Sequence, residues 1–343
     1  MLAHVGHLDP LAVVGSRCFT GLRDVTSDLS ALDSSGFWVV ALSFEGDVAC
    51  ARFDGAGPVP QGWPAWEGPA RDQWRSSLDR DTFGKGVVAV REAIAAGDVY
   101  EVNLCRVLSA PAPRGADIAA LGGVLRAGHP APFGATVRVP GVDLVSASPE
   151  LFLRRNGAVV ESRPIKGTAG SGQGFSSKDR AENVMIVDLV RNDLGRVCEY
   201  GSVEVPALCA VEQHPGLDHL VSTVRGRMRA GVGWPELLDA TFPPGSVTGA
   251  PKLAALDTIR TLEPVRRGPY CGAVGWVDAD RRSGELNVAI RTFWLEEGML
   301  HFGTGGALTW GSTPDGEWAE TELKASRLLA MASATSATGG TPS

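Results

Sequence analysis

Lys166 stands in the segment RPIKGTAGSG, two residues after a proline and just before a run of glycines. A lysine held in a dry pocket by tightly turning backbone can lose its proton and act as a nucleophile. At an open turn it would be a solvated surface residue. Acids gather at two places, Glu182 in DRAEN and Glu317 with Glu320 in GEWAET. The last two are three residues apart and share one helix face. One or two carboxylates, completed by water and substrate oxygens, suit a hard cation such as Mg2+. Acids near helix starts are equally at home as solvated residues favoured by the helix dipole. Arg291 in NVAIRTF lies in an apolar run, where a guanidinium is costly unless it meets a carboxylate. His219 in LDHLVST reads first as a hydrogen-bonded core histidine. Two glycine-rich stretches, PPGSVTGAPK (243–252) and GTGGAL (303–308), lack the spacing of nucleotide-binding loops.

These residues need elements to hold them. Residues 36–53 predict a hairpin about a Glu-Gly-Asp turn, and the Gly/Pro-rich 55–69 a loop or linker. Residues 84–97 predict a helix stopped by Gly97. The strand VYEVNLCRVL follows, with Val99, Glu101, Asn103 and Cys105 on one face. Residues 142–155 and 158–163 read as paired strands turning at Asn156-Gly157. Residues 178–196 read as an amphipathic helix ending near Gly195. Further helices are expected at 235–242, 249–263 and 315–332, and strands at 270–277, 286–295 and 299–303. The order has no regular βαβ beat, which favours α+β over a doubly wound sheet. The small, polar residues 333–343 read as a disordered tail.

The 343 residues are 44% hydrophobic and 21% charged, with net charge −7. That is an ordinary globular composition, and its sign argues against a broad nucleic-acid or anionic-membrane surface. The six cysteines form no C-x-x-C pair and fit a reduced, cytoplasmic protein. No signal peptide and no transmembrane run are expected.

Taken in order, nine blocks resemble the chorismate-utilising family of anthranilate, isochorismate, salicylate and aminodeoxychorismate synthases. They are GDVYEVNL (97–104), SPELFLR (148–154), ESRPIKGT (161–168), KDRAENVMIVDLVRNDLGRVC (178–198), HPGLDHLVSTV (214–224), FPPGSVTGAPK (242–252), GPYCGAVGW (268–276), LNVAIRT (286–292) and GTGGAL…EWAETELKA (303–325). The resemblance implies an α+β sandwich of two large antiparallel sheets with outer helices and the site in the cleft. It makes 84–332 the chorismate-binding catalytic body and 1–83 a shortened N-terminal part with a linker. By motif position Glu182 and Glu320 would hold Mg2+, with Glu317 close by. Arg291, Tyr270, Lys324, Thr168, Thr223 and the amides of Gly305 and Gly306 would bind the substrate. Glu150 resembles the general acid, and His219 would pack under the ring or assist catalysis near the site.

Within the family, anthranilate synthases usually carry PIAGT at this place and isochorismate formers PLAGT. This chain has PIKGT, the form of aminodeoxychorismate synthases. The resemblance therefore implies attack of Lys166 on C2 of chorismate, loss of the 4-hydroxyl, and addition of ammonia at C4, towards para-aminobenzoate. Position 101 is glutamine in the usual amidating member and here is Glu101. No G-x-C-x-G glutaminase elbow is present, so a separate glutamine amidotransferase subunit is the expected ammonia source. An anthranilate or isochorismate synthase, or a silent chorismate-binding subunit, are the alternatives.

Overall fold

FWVVAL and VACARF are rich in β-branched and aromatic residues, and folding them back on each other buries both. They pair antiparallel from Leu42↔Val48 to Phe37↔Phe53 around the turn at 43–47. The computed structural model describes residues 9–334 apart from Ser171, Gln173, Pro215 and Gly216. The tail from 335 onward lies outside the described residues.

The first half of the chain runs through β1 (Leu11–Val14), β2 (Arg17–Thr26), β3 (Phe37–Leu42), β4 (Val48–Pro58), β5 (Arg75–Ser76), α1 (Arg80–Ala96), β6 (Glu101–Pro111), α2 (Ile118–Gly128), β7 (Ala135–Val139), β8 (Val142–Ser146), β9 (Leu151–Asn156), β10 (Val159–Arg163) and β11 (Ile165–Gly170). It continues with α3 (Ser177–Gly195), β12 (Glu204–His214), β13 (Leu217–Arg227), α4 (Trp234–Thr241), β14 (Gly249–Ala250), α5 (Lys252–Leu262), β15 (Ala273–Asp278), β16 (Ser283–Val288), β17 (Thr292–Glu296), β18 (Met299–Leu308) and α6 (Pro314–Ala332).

The ladders between these strands are antiparallel. One half of the sheet runs β5-β6-β18-β17-β8-β7-β1. The strand pair β1–β2 carries it into the other half, β2-β4-β3-β15-β16-β9-β10-β13. Cys105, Val107, Val137 and Leu144 of the first half share one core with Trp38, Val40, Val274 and Leu286 of the second. The α+β antiparallel architecture is the expected one. Its two halves form one continuous hydrogen-bonded ribbon. The N-terminal β3 is stitched into it by the full length of β15.

Several boundaries differ from the sequence reading. The expected strand 142–155 is interrupted at 147–150, where Pro149 has no amide to donate. There the Ser148 hydroxyl bonds Val288 O at 2.6 Å and takes the Glu150 amide at 3.1 Å. The expected strand 286–295 breaks at 289–291, with Arg291 in the left-handed region at φ 54. Residues 249–250 pair with β6 and do not begin α5. GTGGAL lies inside β18. A Cβ at Gly303 would sit 2.0 Å from the Tyr270 ring, and one at Gly305 2.5 Å from Cys105 Sγ, so these glycines serve close packing. No helix among the described residues is long and apolar enough to cross a membrane.

Candidate active site

Lys166 and Glu101 are 65 residues apart in sequence, and the sheet brings them into contact. Lys166 Nζ donates to Glu101 Oε1 at 2.8 Å. Glu101 is fully buried and Lys166 nearly so. Burial pushes the Lys166 amine down, but the Glu101 carboxylate, with Glu182 and Glu150 behind it, outweighs this and raises it above its ordinary value. This corrects the expectation of a lysine that sheds its proton in a dry pocket. The surroundings are buried, but they contain the counter-charge, which favours the ammonium form.

Glu150 sits where the two strand interruptions meet. Its carbonyl accepts the Val288 amide at 3.1 Å, and the adjoining Ala147 amide bonds Arg291 O at 3.0 Å. Burial drives the Glu150 carboxyl from 4.5 to about 7. The Ser246 hydroxyl, Lys166, the Ile165 backbone and Arg291 oppose the rise. Glu150 and Ser246 border a cavity of about 20 Å3. Among the described residues Arg291 finds no carboxylate at contact distance. Its Nη1 donates to His129 Nε2 at 3.4 Å, and that imidazole is pushed down to about 4 by burial and by Arg291 and Arg327. A neutral histidine leaves the guanidinium charge only partly offset.

Ser246 is itself held from β6. Asn103 Nδ2 donates to Ser246 O at 3.1 Å, and Thr248 O accepts the Asn103 amide at 2.8 Å. Beneath them the buried Arg267 bonds Asn103 O and Val247 O while pairing with Glu263. A buried ion pair that also donates to backbone fixes geometry more than it adds stability.

The acids of α3 and α6 face a common lysine. Asp179 and Ser176 form a reciprocal cap that starts α3, and Lys178 lies 3.5 Å from Glu182 Oε1. Burial raises Glu182, and the Glu101 charge adds to the rise. Burial also raises Glu317, which Ser312 and Lys178 lower and Glu320 raises. Lys324 Nζ bonds Glu320 at 2.7 Å and Gly305 O at 3.0 Å. A Cβ on Gly306 would lie 3.3 Å from Glu317 Oε2 and 3.7 Å from Glu320 Oε1. The bare backbone of β18 thus lets both acids approach.

A continuous charged string results: Arg291, Glu150, Lys166, Glu101, Glu182, Lys178, Glu317, Glu320 and Lys324. Other predicted residues sit differently. Tyr270 is buried with its ring over Gly303 and its hydroxyl 4.0 Å from Cys105 Sγ. His219 is buried on β13 beside β11, and Thr223 is half-buried on β13. The Thr168 side chain lies outside the described residues. Two roomy cavities of about 530 and 500 Å3 contain none of the residues of the charged string.

The sequence model of the chorismate binding enzymes matches residues 60–330. The chain belongs to the chorismate-binding enzyme family. It is 39% identical over 295 residues to an anthranilate synthase component 1 of Haloarcula marismortui, covering 80% of this chain and 59% of the relative. It is 40% identical over 268 residues to the aminodeoxychorismate synthase component 1 of Klebsiella aerogenes, covering 75% and 59%. The chain therefore spans well under two thirds of the length of these relatives. The anthranilate synthase component I of Streptococcus pneumoniae superposes with a TM-score of 0.78 at 20% identity, over 96% of this chain and 93% of that one. That likeness is one of fold.

For a divalent cation in this family member, the donor set is the test. Among the described residues no three His, Cys, Asp or Glu side chains are gathered as a ready cage. What the site offers is an open arrangement. Glu182 Oε1 is buried with the Lys178 ammonium 3.5 Å away, and Glu317 and Glu320 are two like charges over Gly306. Hard oxygen donors with room for substrate oxygens fit Mg2+, which normally takes few protein ligands. Sequence reasoning missed Ser246, His129, Ser312 and Lys178. Ser246 and Lys178 stood in quoted blocks without being singled out, although Lys178 is four residues before Glu182 on one helix face, and His129 and Ser312 belong to no spacing pattern that would have flagged them.

Proposed function

We propose that this chain aminates chorismate to 4-amino-4-deoxychorismate, with Lys166 as the covalent nucleophile and Glu150 as the acid. The observation that carries the reading is the buried Lys166, 2.8 Å from Glu101 and inside the field of Glu150. Lys166 gives its extra proton to solvent, from which Glu150 is later reprotonated, and the freed amine forms a bond to C2 as a secondary ammonium. The ring double bond shifts and the 4-hydroxyl leaves as water with the Glu150 proton. Ammonia then adds at C4, the double bond shifts back, and the bond to Lys166 breaks with its electron pair returning to nitrogen. Two allylic displacements replace one hard substitution. Arg291, whose charge is only partly offset, and Lys324 would hold the substrate carboxylates. Lys324 donates to Gly305 O and so is set at the β18 end of the site. Glu182, Glu320 and Glu317 would hold Mg2+. When bound it supplies the positive charge that lets a dianionic substrate lie against three acids. Ammonia would come from a glutamine amidotransferase partner, in keeping with the name "component 1" of the Klebsiella relative.

The test is chemical. The purified chain is incubated with chorismate, Mg2+ and ammonium salt, and the products are separated with mass detection. Aminodeoxychorismate formed only with ammonium is the expected result. Anthranilate would shift the reading to the activity named for the Haloarcula relative. Isochorismate would remove the covalent role of Lys166. No conversion, with or without an added amidotransferase and glutamine, would make the chain a silent binder.

Glu320→Ala is expected to weaken Mg2+ binding by about tenfold or more, the loss of one charged ligand. Direct titration of the metal into the chorismate complex measures this. An unchanged affinity would move the cation away from α6.

A further inference from the structure

Strand β14 is two residues long, and its ladder on β6 ends early. Gly249 and Ala250 pair with Val102 and Glu101, and Thr248 O takes the Asn103 amide at 2.8 Å. Beyond that point the backbone groups on this edge of β6 meet side chains. Asn103 O accepts Arg267 Nη2 at 3.0 Å, and the Cys105 amide donates to Glu263 Oε1 at 2.8 Å. The two side chains do here what a neighbouring strand does elsewhere in the sheet. They are 1% and 5% exposed, and they are joined to each other by Arg267 Nε to Glu263 Oε2 at 2.8 Å and Nη2 to Oε1 at 2.6 Å.

The same guanidinium reaches a second segment. Arg267 Nη1 donates to Val247 O at 2.8 Å. Val247 follows Ser246, whose hydroxyl bonds Glu150 and whose carbonyl takes Asn103 Nδ2 at 3.1 Å. Asn103 is two residues along β6 from Glu101, the partner of Lys166. Arg267 thus ties the strand that carries the Lys166 counter-ion to the turn that carries the Glu150 partner. Its own seat is fixed from the far side. Glu45 takes the Arg267 amide at 2.7 Å, and the Phe44 ring lies 4.2 Å from the guanidinium carbon. For stability alone, apolar side chains of similar volume would serve as well as a buried ion pair. A guanidinium adds direction, because its planar fork fixes the groups that it bonds.

We infer that Glu263 and Arg267 are positioning residues that set Glu150 against Lys166 by locking the 245–248 turn to β6. The inference rests on the reading above that Glu150 and Lys166 do the chemistry. The pair acts through Asn103 and Ser246. Reacting groups tolerate little displacement, and about 1 Å of misplacement can cost on the order of 10²-fold. Slack in the turn would also withdraw the Ser246 hydroxyl from Glu150. That hydroxyl opposes the upward push of burial, together with Lys166 on β11, the Ile165 backbone and Arg291 ahead of β17. Its withdrawal lets Glu150 keep its proton to higher pH.

The test is the double variant Glu263→Gln/Arg267→Met. Glutamine keeps an oxygen for the Cys105 amide, methionine fills much of the arginine's space, and neither partner is left as a lone buried charge. Asn103 O and Val247 O lose their Arg267 donors. Chorismate affinity is measured by equilibrium titration and kcat for the aminated product across pH. Glu150 protonation is followed by the infrared carboxyl band that disappears on adding Glu150→Gln. Affinity is expected to stay within about twofold and kcat to fall about tenfold or more. The Glu150 titration and the alkaline limb of kcat should both move above the wild-type position near about 7. A merely structural pair would lower the fraction of active enzyme and leave both titrations in place, and that result overturns the inference. So does a kcat within about twofold of wild type. Should the double variant lose its cooperative thermal unfolding, Asn103→Leu decides, because it leaves the ion pair intact and removes the Nδ2 bond to Ser246 O. An upward move of the Glu150 titration is again expected, and an unmoved one overturns the inference. A wild-type chain that forms no aminated product overturns the amination reading instead, and the infrared titration still decides the positioning.

Discussion

Lys166→Ala is expected to abolish amination, lowering kcat on the order of 10³-fold or more, while chorismate still binds. Mass detection of aminodeoxychorismate reads the first effect and equilibrium titration with chorismate the second. The variant carries a complication that the structure defines. It strips the fully buried Glu101 carboxylate of the Lys166 ammonium that it accepts from. Removing one member of a buried ion pair costs about 3–5 kcal/mol, unless the survivor takes up a proton. A dead but destabilised enzyme would therefore prove little. The double variant Lys166→Ala/Glu101→Gln leaves no unpaired charge. It should recover most of the lost thermal stability and none of the activity. Amination by either variant at near wild-type rate would sink the covalent role. Recovery of activity together with stability would make Lys166 a structural counter-ion.

What could be read from the sequence divides along physical lines. Gly97 at φ 85 ends α1, and Asn156-Gly157 turns β9 into β10, because glycine signals are local and need no tertiary context. The strand β6 was legible as a strand but not as a buried one. Both of its faces are covered, from Glu101 to Leu108, so alternation carries no information there. The pair β12–β13 was not read at all. Its register slips twice and Pro206 interrupts the pattern. At the site, the identities of Glu150, Lys166 and Arg291 were accessible through their motifs. Their electrostatics were not. The direction in which Lys166 is pushed depends on a carboxylate 65 residues away, and the partner of Arg291 is a neutral histidine that no carboxylate rule would select. Spacing along a chain reports helix faces and turns. It is silent on which strands of an antiparallel ribbon lie side by side.

Glu150→Gln should separate catalysis from stability in opposite directions. The wild-type carboxyl, moved by burial from 4.5 to about 7, is still about half protonated near neutrality and can give its proton to the leaving hydroxyl. Activity is therefore expected to fall as pH rises through about 7, because the acid form is lost. The glutamine variant has no proton to give. It should be slower by about 10²–10⁴-fold, and its pH profile should lack that limb. Stability follows the other sign. The folded state holds this proton more tightly than the unfolded chain, so the wild type is progressively destabilised as pH climbs from 4.5 to about 7. The span corresponds to ~3 kcal/mol, reached in full only above pH 7. Glutamine remains neutral throughout. The variant should thus gain stability over wild type at pH 8, and the gain should vanish near pH 4.5. Denaturant melts at the two pH values measure it. A variant that is inactive yet no more stable at pH 8 would mean that Glu150 is solvated as a carboxylate in the working enzyme. Its acid role would then have to pass to a bound water. Gain of stability with loss of activity is the outcome expected of a group kept buried for its proton at a cost to the fold.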